Sequence, residues 1–144
     1  MENPQRKPLQ APKSMIELDA YFLHMHKVVQ DADFYFWHHA QLAQLSPKIK
    51  DAQKQAYSDN FDRLYESFRT LQTDGLFREE RYAREYKRTI NTLYLSIIYW
   101  LPFCELSADD DAKSGEGLRE QVWGIVYPHL TGKSWQTLKE IMGC

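Results

Sequence analysis

Apolar side chains recur along this chain three and four residues apart. From Met15 onward, Leu18, Tyr21, Phe22, Met25, Val28 and Val29 keep that spacing, which lines one face of a helix turning about 100° per residue. Ser14 precedes the run and Glu17 follows three residues later, the capping-box pairing that satisfies free N–H groups at a helix start. The stretch DADFYFWHHAQL, residues 31–42, comes next, and Asp31 or Asp33 is placed to cap a second helix reaching about Leu45. Ser46-Pro47 predicts the N-cap and first turn of a third helix, with Tyr57, Phe61, Leu64, Phe68 and Leu71 on one face and Gly75 as its stop.

A fourth stripe starts in REERYAREYKRT with Tyr82, Tyr86, Ile90 and Leu93, and runs into LYLSIIYWLPF, residues 93–103. There Leu93, Leu95, Ile97, Ile98, Trp100, Leu101 and Phe103 point around most of the helix circumference, so the segment needs cover on more than one side. Pro102 marks its expected end. Beyond the polar segment SADDDAKSGEGL, residues 107–118, a fifth stripe is formed by Leu118, Val122, Trp123, Val126, Tyr127 and Leu130, which Pro128 should stop or kink. Ser134 would cap a short last helix with Leu138, Ile141 and Met142 as its contact face. No strand pattern interrupts this series, so the chain reads as all-α with about six helices. Residues 1–14, with Pro4, Pro8 and Pro12 among polar and basic side chains, read as a tail or linker. Residues 15–144 then form one helical domain.

Composition fits that outline: 144 residues with 43% hydrophobic and 14% aromatic content supply a core for a single domain. The 18 basic and 20 acidic residues leave a net charge of −2, and with it no general attraction for nucleic acid or an anionic membrane. DNA binding by this chain alone is therefore not expected. Cys104 and Cys144 have neither metal-site nor CxxC spacing, which suits a reduced, intracellular protein. No signal peptide opens the sequence and no apolar run is long enough to span a bilayer, so the expected location is cytoplasmic.

The chemistry-bearing residues form no catalytic, metal or cofactor pattern. A di-metal bundle would need Glu-x-x-His pairs, which the sequence lacks. His24 and His26 diverge on one helix, adjacent His38 and His39 cannot face one ion, and a site joining His24 to His38 would have to bridge two helices. One histidine of each pair is expected at the surface and the other at the edge of the core. No phosphate-cradling glycine motif occurs, and Cys104 reads as a buried, inert thiol. The aromatic residues remain: Phe22, Phe34, Phe36, Trp37, Tyr57, Phe61, Tyr65, Tyr94 and Trp100 lie on four predicted helices. Singly each suits a core; together, with His38, Tyr57 and Tyr94 as polar tips, they suit the walls of a small-molecule pocket.

Three stretches, in this order, resemble the C-terminal ligand-binding and dimerisation region of TetR-type bacterial transcriptional repressors. DADFYFWHHAQLAQLSPKI is similar to an aromatic-rich short helix followed by a proline-started one; YAREYKRTINTLYLSIIYWLPF is similar to the long penultimate helix; VWGIVYPHLTGKSWQTL is similar to a closing helix with a Pro-x-Leu-Thr turn. The resemblance covers residues 15–142. It departs from the family at Trp37, His38 and His39, where one subgroup carries charged residues, and it lacks the N-terminal helix-turn-helix that reads DNA. The chain would then be either a separately produced effector domain or a natural protein without the reader.

The resemblance implies a homodimer in which the last two long helices of each subunit form a two-fold four-helix interface, with Tyr94, Ile98, Leu101, Trp123, Val126 and Tyr127 contributing to the seam. It also implies a small, largely apolar ligand among Phe22, Phe34, Trp37, His38, Tyr57, Phe61 and Tyr94, and DNA contact only through a reader outside this chain. The alternative is a helical protein-interaction module with no small-molecule ligand. An enzyme is the most distant of the three, because no catalytic constellation is present.

Overall fold

The computed structural model describes residues 10–108 and 114–143. Among them are eight α-helices: α1 (Met15–Asp31), α2 (Asp33–Trp37), α3 (His39–Leu45), α4 (Pro47–Thr73), α5 (Glu85–Ile98), α6 (Trp100–Ser107), α7 (Gly115–Val126) and α8 (Gly132–Met142). The only extended pairing among the described residues is a single bridge of Phe77 with Leu130. The chain is all-α as expected, but two of the six expected helices are each broken in two.

The start of α1 is the capping box: Glu17 N–H donates to Ser14 Oγ at 3.1 Å, and the Ser14 hydroxyl donates to the Glu17 carboxylate. Ser46 caps α4 in the same way through the Ile49 N–H. The end of α4 is a Schellman turn, in which Leu76 N–H reaches Leu71 O at 2.9 Å while Gly75, at φ 78°, takes the left-handed conformation that glycine adopts without steric cost.

Five expectations need correction, each for a local reason. Neither Asp31 nor Asp33 caps α2; Ala32 holds that position, and the Asp33 carboxylate is taken by the next N–H, that of Phe34, at 2.8 Å. The second expected helix also breaks at His38, which closes α2 and opens α3. The third correction concerns α5, which begins at Glu85 rather than in the charged run, because Arg78 N–H is bonded to His129 O and Arg84 turns left-handed at φ 68°. Tyr82 is consequently exposed. The long apolar helix breaks at Tyr99 rather than at Pro102: the proline ring would meet the Ile98 carbonyl four residues back, so α5 stops and Pro102 becomes the third residue of α6, where its missing N–H costs nothing. Finally, α8 starts two residues before Ser134, whose hydroxyl donates back to Thr131 O at 2.8 Å. Within the 107–118 segment, Ser114 caps α7 through the Gly117 N–H, and residues 109–113 lie outside the described residues. So do residues 1–9 of the expected tail, and Cys144.

Helix α5 is central, packed against α1, α4 and α7. Its inward residues Tyr86, Ile90, Leu93 and Ile97 meet Phe22 and Leu18 of α1, Phe68 and Leu71 of α4, and Val122 and Val126 of α7 in one continuous core. Burying each of these side chains favours folding by roughly 1.5–3 kcal/mol. The chain's own helices cover this inward side and leave Leu95, Tyr99 and Phe103 of the apolar pattern exposed.

Candidate functional site

The residues proposed for a ligand from sequence divide among four places. Tyr57, Phe61 and Tyr94 come together where α4 crosses α5: the Tyr57 ring stands edge-on to Tyr94 at 5.2 Å and tilted to Phe61 at 6.0 Å. One of its polar tips is already used, since Tyr57 Oη donates to Asn91 Oδ1 at 2.5 Å, and nearby Tyr21 Oη donates to Asn60 Oδ1. Burial, reinforced by the neighbouring tyrosines Tyr35, Tyr21, Tyr99 and Tyr57, pushes the Tyr94 phenol up to about 12. This is a packed, hydrogen-bonded aromatic cluster.

Phe22 stands apart from it, wholly buried and edge-on to Trp123 at 5.6 Å. Phe34 lies at the surface, 70% exposed, with its ring 4.7 Å from that of His38, whose Nδ1 contacts Gln41. His39 is the buried member of its pair, stacked on Phe36 and edge-on to Tyr35 and Tyr99. Burial lowers its pKa, and its Nδ1 has no hydrogen-bond partner among the described residues. Likewise His24 is exposed and His26 buried.

Trp37 of the proposed ligand residues borders a cleft. This hollow of about 250 Å³ lies between the C-terminal half of α1, α2 and α6, and is walled by Val29, Trp37, Trp100, Leu101 and Cys104 with His26, Gln30 and Glu105 at its polar edge. The break at Tyr99 makes it: turning the chain there sets α6 against α2. The sequence counted Trp100 among the aromatics suited to pocket walls but left it out of the ligand set, and took Cys104 for an inert thiol; the proline four residues after Ile98 was the available signal for placing both.

The expected seam residues also sort by burial. Ile98 and Val126 are packed in the chain's own core, Tyr94 belongs to the tyrosine cluster, and Trp123 is buried but borders a hollow with Tyr127. The outward residues of the same helices are different: Leu95, Tyr99 and Phe103, spaced four apart across the α5–α6 break, line a hollow of about 260 Å³ with Gln121 of α7. One turn further along α7, Gly124 and Tyr127 border a second hollow with Leu138 and Met142 of α8.

The TetR family model, described as bacterial transcriptional repressor, matches residues 1–138. This chain belongs to the TetR family. A crystal structure of a TetR-family transcriptional regulator from Marinobacter aquaeolei VT8 has the same fold, with a TM-score of 0.76 at 14% identity over 98% of this chain and 66% of that one. The chain thus spans 66% of the length of that structure. A search of curated proteins found no match.

One polar group of this TetR-family chain was not foreseen. Where residues 76–78 meet 129–131, buried Glu85 accepts from the Arg81 guanidinium at 2.7 Å and from Arg81 N–H at 2.8 Å. Burial opposes the Glu85 charge, but the two Arg81 bonds prevail and hold its carboxyl at about 2. His129 Nε2 lies 2.7 Å from Thr89 Oγ1, and Tyr86 Oη donates to Arg78 O at 2.5 Å. These contacts lock the start of α5 to the end of α7. No group of three His, Cys, Asp or Glu residues among the described residues is placed to hold a metal ion, and no helix among them is long and apolar enough to cross a membrane.

Proposed function

We propose that residues 15–144 are the effector-binding and dimerisation domain of a TetR-family regulator, acting on DNA through a reader outside this chain. The observation that carries the reading is the outward apolar stripe Leu95, Tyr99 and Phe103, continued over Gln121 to Gly124 and Tyr127. A monomer gains nothing from exposing it, whereas a second copy related by a two-fold axis would bury both stripes at once. Gly124 suits close approach, since a Cβ there would meet nothing within 4 Å. The α1–α2–α6 cleft, rather than the filled tyrosine cluster, is the place for a small apolar molecule. Such a ligand would act by binding one arrangement of the dimer better than another, the only way it can shift that equilibrium.

Light scattering at micromolar concentration tests the dimer, with twice the chain mass expected. A clean monomer overturns it and leaves the stripe to a different helical partner. Thermal-shift titration tests the cleft: a ligand at about 100 times its Kd should stabilise the fold by about 2.7 kcal/mol.

A further inference from the structure

Resting on the reading of the α5–α6–α7 face as a dimer interface, we infer that opposite charges at two of its corners set the angle at which a second copy docks and make the contact selective for this chain. Helices α5 and α7 run antiparallel: Thr89 meets His129 at one end, at 2.7 Å, and Ser96 and Tyr99 share a hollow with Gln121 towards the other. Residues three, four and seven apart share a helix face. The outward face of α5 therefore runs from Arg84 and Arg88 through Leu95 to Tyr99 and Phe103 beyond the break, and that of α7 from Glu116 and Glu120 to Gly124 and Tyr127, all of them exposed. Antiparallel packing sets the arginines beside Gly124 and Tyr127, and the glutamates beside Tyr99 and Phe103.

The charges are free to pair. Arg84, Lys87, Arg88 and Asn91 line a hollow of about 140 Å³, and neither arginine side chain has an ion pair or hydrogen bond among the described residues. Glu120 has none there either, and Glu116 keeps only a 3.4 Å contact with Arg119, whose guanidinium is gripped by Asp19. A two-fold axis in the interface plane can run four ways. Along the helices, it lays Arg84 and Arg88 on the partner's Gly124 and the partner's Tyr127; across them, on the partner's Tyr99 and the partner's Phe103. Either strips the charges of water without giving them a partner. An axis through the two charged corners sets like on like. An axis through the two apolar corners covers each apolar corner with its own copy and brings Arg84 and Arg88 towards the partner's Glu116 and the partner's Glu120. Complementarity of this kind fixes register and suppresses wrong partners.

Charge-reversed chains test the pairing. Arg84→Glu with Arg88→Glu, and separately Glu116→Lys with Glu120→Lys, should each weaken the homodimer about a hundredfold, because like charges then meet at both corners. Mixed in equal amounts, the two chains should form a heterodimer in which every corner is paired again, and native mass spectrometry should find it in clear excess over both homodimers. All four positions are exposed, so the fold should survive the changes. Should the lysine pair fail to fold, Glu116→Gln with Glu120→Gln takes its place in the mixture and should still be drawn to the arginine-reversed chain. A random mixture of the three dimers, or reversed chains that dimerise as tightly as the wild type, would overturn the charge pairing while leaving the dimer reading intact. A wild-type chain that stays monomeric at micromolar concentration would overturn both.

Discussion

Trp123 donates its indole N–H to Asp19 Oδ1 at 2.8 Å, and Arg119 grips the same carboxylate from one turn earlier on α7, Nε to Oδ1 at 2.9 Å and Nη2 to Oδ2 at 2.8 Å. Arg119 Nη2 also donates to Ile141 O, so one carboxylate on α1 organises α7 and the end of α8. The bonds fix the inward rotation of α7, and with it the turn of Gly124 and Tyr127 towards the surface.

Removing that carboxylate should therefore be expensive. Asp19→Ala leaves a largely buried guanidinium and an indole N–H without their acceptor, a class of change that costs about 3 kcal/mol or more. Asp19→Asn keeps one acceptor for Trp123 and should lose less. Urea unfolding measures both; a loss below about 1 kcal/mol for Asp19→Ala would show that water replaces the carboxylate.

Two residues three apart on α5 should respond in opposite ways. Leu95 is 59% exposed, so Leu95→Glu should leave the fold intact and convert the dimer to a monomer in light scattering. Ile98 is 3% exposed, so Ile98→Ala should cost about 3 kcal/mol of stability through the cavity it leaves. A dimer that survives Leu95→Glu at low micromolar concentration would remove the stripe from the interface.

The tyrosine cluster gives a test of whether its polar tips are truly committed. Tyr57→Phe and Asn91→Ala each remove one side of the 2.5 Å hydrogen bond, and a double-mutant cycle should return a coupling of about 1 kcal/mol. A coupling near zero would free both groups and return the α4–α5 crossing to the list of ligand sites.

How far the sequence was legible follows from what each residue depends on. Ser14, Ser46-Pro47 and Gly75 act on N–H and C=O groups within a few residues of themselves, and all three sit where the pattern put them. Periodicity identified the buried sides of α1, α4 and α5 because the core covers whole faces. It could not say which neighbour covers which side, and so Ile98, Trp123 and Val126 were counted in a dimer seam although each packs in the chain's own core. The cleft was harder still. It depends on the chain turning at Tyr99, an event set by a proline ring and the carbonyl of Ile98, and only that turn brings Trp100 towards Trp37. The four consecutive aromatics from Phe34 to Trp37 scatter as helix geometry demands: Phe36 is buried, Tyr35 half-buried, and Phe34 and Trp37 lie on the outside.

Acid should unfold the chain in two stages. Burial lowers the pKa of His26, His39 and His129, so each binds its proton less readily in the folded state than its ordinary value of 6.5 allows. As pH falls through 6.5 the unfolded chain takes up protons that the folded one refuses, and stability present above that pH is progressively lost. Glu85 adds the second stage: with its carboxyl held at about 2 against an ordinary 4.5, its contribution is complete above 4.5 and disappears as pH falls towards 2. Melting temperature should thus decline between pH 7 and 5 and again below 4.5. The second decline belongs to the Arg81–Glu85 contact, so Glu85→Gln should start from a lower melting temperature and flatten it; it also removes the charge that partly raises the His129 pKa and should steepen the first. A melting temperature that holds steady from pH 7 to 5 would mean that these histidines accept protons without leaving the fold, and the buried positions of His39 and His129 would have to open to water well below the global transition.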